Sequence, residues 1–258
     1  MTSSFSSDEM AVGYARHRPP VHARVLELLE ARVGALSVER ALDIGCGAGL
    51  STRVLLGRAS QAIGLDPSPA MVQWAKKLVF EADFVVGAAE AIPLGNGTAG
   101  LVTAAGSLNY ADWEDFFSET ARVLTPDGRL VIYDFEPGRS FRLSPNLDRW
   151  FEEFSSRYSW PRGDGQSVDP EALGTASGRF RVDLTERFQI PIAMTHQAYV
   201  DYMMTETNIA QAIRLGVPAQ GIREWCQASL RAIWNEEPAE ILFRGYFAQL
   251  HRKPQERE

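Results

Sequence analysis

The segment Leu42-Asp-Ile-Gly-Cys-Gly-Ala-Gly49 carries an apolar run into a glycine-rich turn and then into a helical pattern. Gly45 and Gly47 allow torsions and a close backbone approach that side chains would block. A helix starting after them would turn unpaired N–H groups and its positive dipole end toward the loop. Something anionic or polar is expected there. Dinucleotide-binding domains place Gly-x-Gly-x-x-Gly at such a turn, but the third small residue falls on Leu50 counting from Gly45 and on Thr52 counting from Gly47. The pattern is Asp-x-Gly-x-Gly-x-Gly, led by Asp43.

Asp66 ends the next apolar run, 23 residues after Asp43, where a carboxylate can accept both hydroxyls of a ribose. A third run ends in Gly87-Ala-Ala-Glu90, followed by Ile92-Pro-Leu94, a short polar loop where a base would lie. Three consecutive strand ends thus offer a nucleoside site at the carboxyl edge of a sheet.

The elements that must position these residues follow from hydrophobic period. Val21, Val25, Leu28 and Leu29 after Pro19 and Pro20 predict a helix over 20–33. Strands are predicted at Arg40 to Ile44, Gln61 to Leu65, Ala82 to Val86, Leu101 to Ala105 and Arg129 to Phe135. Helices are predicted at Leu50 to Arg58, at Ser68 to Leu78 with Ser68 as cap, and at Trp113 to Leu124, before the turn Thr125-Pro-Asp-Gly128. This alternation implies βαβ units. Period-two alternation over Phe180 to Ile190, and a weaker run at Ile241 to Leu250, predict strands six and seven as a terminal antiparallel pair. The expected fold is α/β: a Rossmann-like, seven-stranded, mostly parallel sheet with helices on both faces and an antiparallel last strand. An insertion over 139–178 places Trp150, Phe151, Phe154 and Tyr158 on one helical face, either as a helical lid or as plain core packing.

With 258 residues, 45% hydrophobic and 23% charged, the chain is expected to form a single domain. A net charge of −7 excludes the footprint of a general nucleic-acid binder. Cys46 and Cys226 lack metal-ligand spacing, so neither a zinc site nor a disulfide framework is indicated. No run reaches the roughly 18 apolar residues of a membrane span, and Met1 to Glu9 is polar. A soluble, cytoplasmic protein is expected.

Six ordered pieces, Tyr14-Ala-Arg-His-Arg-Pro19, Leu42 to Gly49, Gly64-Leu-Asp-Pro-Ser-Pro-Ala-Met71, Gly87 to Leu94, Leu101 to Tyr110 and Leu124-Thr-Pro-Asp-Gly-Arg-Leu130, carry a resemblance. The chain resembles class I S-adenosylmethionine-dependent methyltransferases, nearest to the small-molecule branch related to ubiquinone and menaquinone biosynthesis, over residues 10–135. The resemblance implies S-adenosylmethionine as cofactor and S-adenosylhomocysteine as product. Gly45, Cys46 and Gly47, in the loop from Asp43 to Gly49, would line the methionine part. Asp66 would hold the ribose, and Pro67, Ser68 and Met71 would flank the adenine. Ala89 would contact the adenine edge through its backbone. At Ala88 the family usually has an acidic residue, a departure that implies either weaker adenine binding or compensation by Glu90. Tyr14 and Arg18, in N-terminal helices over 1–33, would cover the cofactor, with Arg18 on its carboxylate. Ala105 and Gly106 would lie beside the sulfonium.

Methyl transfer from a sulfonium is an in-line displacement, so the protein chiefly aligns donor and acceptor. The candidates are Ser107, Asn109 and Tyr110 after the fourth strand, Asp134 after the fifth, and His17. Relatives often carry a histidine near Asn109. Its absence favours positioning over base catalysis. His196 follows the sixth strand, while His22 and His251 read as exposed. Aromatic residues of the insertion and the strip Met194 to Met204 suggest a small acceptor, aromatic or partly apolar. Eight arginines balance eight acidic residues over Arg139 to Arg187, so no polyanionic substrate is demanded. No metal is called for, and a monomer or homodimer is expected. The alternative is a protein that binds the cofactor without methylating, as a repurposed enzyme or a regulator.

Overall fold

The computed structural model describes residues 16–161, 168–235 and 237–253. In chain order these form α1 (Val21–Val33), β1 (Val38–Ile44), α2 (Leu50–Arg53), β2 (Ala59–Asp66), α3 (Pro69–Leu78), β3 (Asp83–Val86), β4 (Ala99–Ala105), a 3-10 turn (Leu108–Tyr110), α4 (Trp113–Val123) and β5 (Leu124–Phe135). Then come β6 (Ser140–Phe141), α5 (Asn146–Arg157), a 3-10 turn (Pro170–Ala172), α6 (Leu173–Ala176), β7 (Phe180–Met194), α7 (His196–Met203), α8 (Thr207–Arg214), α9 (Ala219–Arg231) and β8 (Ala239–Arg252). No helix among the described residues is long and apolar enough to cross a membrane.

The strands are hydrogen-bonded in the order β3-β2-β1-β4-β5-β8-β6, with β7 pairing β8. The first five are parallel, and β8 runs antiparallel to β5 from Arg129↔His251 to Phe135↔Gly245. The α/β expectation is met with eight strands rather than seven. The additional one, β6, is two residues long, too short for any period to show. Strands six and seven of the sequence reading are β7 and β8; they do pair, but α7, α8 and α9 intervene. The expected helix at Leu50 to Arg58 stops at Arg53. Its continuation tightens through Leu55 N–H to Thr52 O (3.0 Å) and Arg58 N–H to Leu55 O (2.8 Å) ahead of strand β2.

Contacts divide the chain into two compact units. The sheet unit comprises residues 22–135, 168–188 and 245–253, and holds β1 to β5. Its core joins Leu42, Ile44, Val102 and Ala104 of the central strands to Phe116 and Phe117 of α4 and to Phe180, each such ring worth about 1.5–3 kcal/mol when fully buried. Strand order reverses between β1 and β4, so the carboxyl ends of these two strands flank the switch point of an open α/β sheet.

The helical unit comprises residues 16–21, 136–161 and 189–244 apart from residue 236. Here Trp150 stacks on Phe154 at 5.1 Å and on Trp225 at 5.6 Å, and Trp150 Nε1 donates to Ser229 Oγ at 2.8 Å. Phe154 is fully buried and Tyr158 meets Trp225 at 5.7 Å. Of the two readings of the aromatic stripe, core packing is the one realised, against α7 and α9. The insertion expected over 139–178 is accordingly shared: α5 belongs to the helical unit, whereas Leu173 and Val168 join the sheet core.

Candidate functional site

The site is built on the sheet unit, beginning with the loop after β1. Gly45, Gly47 and Gly49 have φ of 70°, 52° and 88°, torsions that L side chains adopt only with strain. Gly45 N–H and Cys46 N–H both donate to Leu65 O, at 2.8 and 3.0 Å, and Gly49 N–H donates to Cys46 O at 2.9 Å. Gly47 N–H donates to Asp66 Oδ2 at 2.9 Å. These four donors are therefore taken up inside the protein. Helix α2 is only four residues long, and the loop is folded onto the end of β2 through these bonds.

Asp43 is wholly buried. Its Oδ2 accepts from Ser51 Oγ (2.6 Å) and Thr52 Oγ1 (2.7 Å), and its Oδ1 from Thr103 Oγ1 (2.8 Å). Its bonding partners are three neutral hydroxyls, and burial pushes its pKa up to about 6 despite these bonds. Asp43 thus ties β1 to β4 and to the first turn of α2, and positions the loop from within. The partners Ser51, Thr52 and Thr103 were missed in the sequence; the adjacent Ser-Thr pair that begins two residues after Gly49 was the available signal. Cys46 also faces inward, among Val72, Ala75, Val79 and Phe84, and burial raises its thiol pKa. Only its backbone can line a ligand.

Asp66 closes β2. Besides Gly47 N–H it accepts Ser68 N–H on Oδ1 at 2.9 Å, and burial raises its pKa. Ser68 Oγ caps α3 by accepting Met71 N–H at 3.4 Å; Pro67 beside it is exposed and Met71 buried. After β3, Gly87 N–H donates to Asp66 O at 3.1 Å and Ala88 bridges Ala91. Ala89 is half-buried against the sheet core. Compensation for Ala88 by Glu90 was one of the two expectations. Glu90 Oε1 instead accepts Asp112 N–H at 2.9 Å and ties this loop to the start of α4.

After β4, Ala105 is half-buried and Gly106 has φ 66°. A Cβ on Gly106 would stand 2.9 Å from Asp134 Oδ1, so glycine lets Asp134 approach. Asn109 Nδ2 donates to Asp134 Oδ2 at 2.9 Å, and Phe135 N–H donates to Asp134 Oδ1 at 2.8 Å. Ser107 Oγ donates to Ile44 O at 2.6 Å, and Tyr110 is 74% exposed. The sheet unit thus gathers Asp66, the glycine loop, Asn109 and Asp134 at the carboxyl ends of β1, β2, β4 and β5.

Of the N-terminal candidates, His17 and Arg18 belong to the helical unit. Tyr14 lies outside the described residues. Arg18, expected on a ligand carboxylate, already meets one of its own chain: Nη1 lies 3.2 Å from Glu206 Oε1 and Nη2 donates to Thr205 O at 3.2 Å. Its guanidinium also lies 5.2 Å from the Tyr202 ring. His17 is half-buried in the same helical unit. Two further histidines correct the sequence reading. His22 is half-buried with Nδ1 3.0 Å from Tyr133 Oη, because α1 presents it to β5. His251 pairs with Asp183 across β7 and β8. His196 is buried and bonded to Gln227 O at 3.1 Å. No group of three or more metal-ligating side chains occurs among the described residues.

Comparison with known proteins adds the family. Residues 42–132 match the family described as "Methyltransferase domain", a span that starts at the glycine loop and ends within β5. Over these residues the chain is similar to methyltransferase domains. An uncharacterised methyltransferase of Mycobacterium tuberculosis is 34% identical over 134 residues, 51% of this chain and 52% of its own. The demethylmenaquinone methyltransferase of Thermus thermophilus is 36% identical over 106 residues, 38% of this chain and 48% of its own. The chain thus spans about half the length of the curated relatives it matches. Among solved structures, a candidate type II methyltransferase of Anaeromyxobacter dehalogenans is similar with a TM-score of 0.63 and 20% identity, covering 91% of this chain and 96% of that one. The YcgJ protein of Bacillus subtilis follows at TM-score 0.52 and 22% identity, covering 91% and 100%. At these identities the likeness is one of fold. The matched stretch carries Asp43, Asp66, Asn109 and the loops after β1, β3 and β4.

Proposed function

We propose that the protein transfers the methyl group of S-adenosylmethionine to a small acceptor, aromatic or partly apolar, by in-line displacement. The observation that supports this most is the convergence of the glycine loop, Asp66 and the Ala88–Glu90 loop at adjacent strand ends inside the stretch similar to methyltransferase domains.

The residues present fit the cofactor. A Cβ on Gly47 would meet nothing within 4 Å, so this turn of the loop borders open space that a ligand can use. A carboxylate offers about four lone-pair positions, and backbone N–H groups of Gly47 and Ser68 occupy two of those on Asp66; the others suit ribose hydroxyls. Pro67 and Met71 would flank the adenine, the Ala88–Ala89 backbone would meet its edge, and Ala105 and Gly106 would leave room beside the sulfonium. When bound, S-adenosylmethionine supplies an electrophilic methyl group. The protein's own part is alignment and exclusion of water.

Asn109 and Asp134 would orient the acceptor. Asp134 fixes the Asn109 amide by accepting from its nitrogen, which sets the direction of the amide oxygen. Tyr110, next to Asn109 in the chain, presents an exposed aromatic ring at this edge of the sheet unit. It supports an acceptor with a flat apolar part, as does the similarity to a protein named for demethylmenaquinone.

Incubation with methyl-labelled S-adenosylmethionine and a panel of phenols, quinols and aromatic amines tests the reading. Label should appear on one acceptor class with equimolar S-adenosylhomocysteine. Cofactor binding with conversion of a substrate but no transferred label would instead establish a repurposed enzyme.

A further inference from the structure

We propose a second binding site, for a small molecule bearing several phosphoryl groups, at the amino-terminal edge of the sheet. A cavity of about 710 Å³ there is bordered by the loop before β4, by the C-terminal part of α4, by the start of β5 and by the residues flanking β7 and β8. It lies wholly within the sheet unit. Gly97 on its wall precedes β4 and Gly106 follows it, and seven strand residues at about 3.3 Å each separate the two ends by roughly 23 Å. The cavity is thus distinct from the site at the carboxyl edge.

Its charge is opposite to that of the chain. The protein carries a net charge of −7, yet Arg122, Arg179, Arg252 and Lys253 line this cavity with one carboxylate, Glu119. Glu119 is already held by Arg122, whose Nε and Nη2 both donate to it at 2.7 Å. Three cations are left over. Two of them are steadied by backbone carbonyls: Arg252 Nη1 donates to Leu124 O at 3.1 Å and Lys253 Nζ to Gly178 O at 2.8 Å. Arg179 is exposed at the rim. Cations brought together from the residue before β7 and from the end of β8 favour tetrahedral groups, which present oxygens in several directions, over a single planar carboxylate. The volume lies within the range of small-molecule pockets.

Isothermal titration of the full chain with tripolyphosphate at low ionic strength tests this. Saturable one-to-one binding is expected, weakened at least tenfold in Arg179→Gln/Lys253→Gln and changed less than twofold in Arg24→Gln, an exposed arginine outside the cavity. Absence of saturable binding, or equal affinity in the double variant, would overturn the site. Tricarballylate binding as tightly as tripolyphosphate would overturn the phosphoryl assignment. Saturating S-adenosylhomocysteine should leave the tripolyphosphate affinity within twofold; direct competition would place the ligand at the carboxyl edge and refute a separate site. This outcome does not depend on the methyl-transfer reading.

Discussion

The carboxylate of Asp66 accepts the backbone N–H of Gly47 at 2.9 Å, so the residue proposed to hold a ribose also holds the turn that borders it. Loop and ribose seat are one assembly. Asp66→Ala should weaken S-adenosylhomocysteine by about 10- to 100-fold, since hydrogen bonds to charged groups contribute about 1.5–3 kcal/mol. Titration calorimetry measures this, and an unchanged affinity would show that the ligand does not use this carboxylate.

Two glycines two residues apart should fail differently when replaced. A Cβ at Gly45 would lie 2.2 Å from Ser107 Cβ, so Gly45→Ala combines overpacking with an unfavourable torsion and should destabilise by about 2–5 kcal/mol. Gly47→Ala meets no atom. It should cost only about 1–2 kcal/mol through its torsion, yet reduce cofactor affinity at least tenfold. Denaturant unfolding and calorimetry on both variants separate the effects, and Ser107→Gly should partly rescue Gly45→Ala.

Buried Asp43 has a pKa of about 6 in the folded protein, above the roughly 3.9 of an unfolded chain. Between these values the native state binds more protons than the unfolded state, so this group's contribution is present below about pH 4 and is lost as pH rises through 6. Asp43→Asn removes the titration while leaving an acceptor for Ser51 and Thr52. Relative to wild type, its stability should therefore rise between pH 4 and 6.5, by on the order of 3 kcal/mol. Unfolding titrations across this range measure it, and a pH-independent difference would contradict the buried carboxylate.

Much of this arrangement was legible before any coordinates. Asp43, the three glycines, Asp66 and Ser68 sit in a run whose strand and helix periods are unambiguous, and the βαβ alternation fixes where strand ends meet. What each side chain does was less legible, because direction depends on partners remote in sequence. Asp43 and Cys46 turn inward toward Thr103 and Phe84, and Glu90 is drawn to Asp112. Helices α7 and α9 went unread because the partner of Tyr199 and Trp225 is Trp150 of α5, remote in sequence. Arg18 was read without its counter-ion Glu206, 188 residues away.

If Asn109 and Asp134 orient the acceptor, Asn109→Ala should lower kcat/KM for the acceptor found in the label-transfer screen by about 10- to 100-fold. The affinity for S-adenosylhomocysteine should stay within twofold. Steady-state kinetics beside calorimetry decides this. A parallel loss of cofactor binding would move Asn109 to the cofactor side of the site.

The most direct test of the whole account is thermal unfolding with S-adenosylmethionine, S-adenosylhomocysteine and NAD in parallel. A ligand at about 100 times its dissociation constant adds roughly 2.7 kcal/mol. The adenosyl compounds should raise the unfolding temperature of the wild type, with a smaller rise for Asp66→Ala, and NAD should not. No shift with either adenosyl compound at millimolar concentration, or an equal shift with NAD, would contradict the assignment of this pocket to methyl transfer.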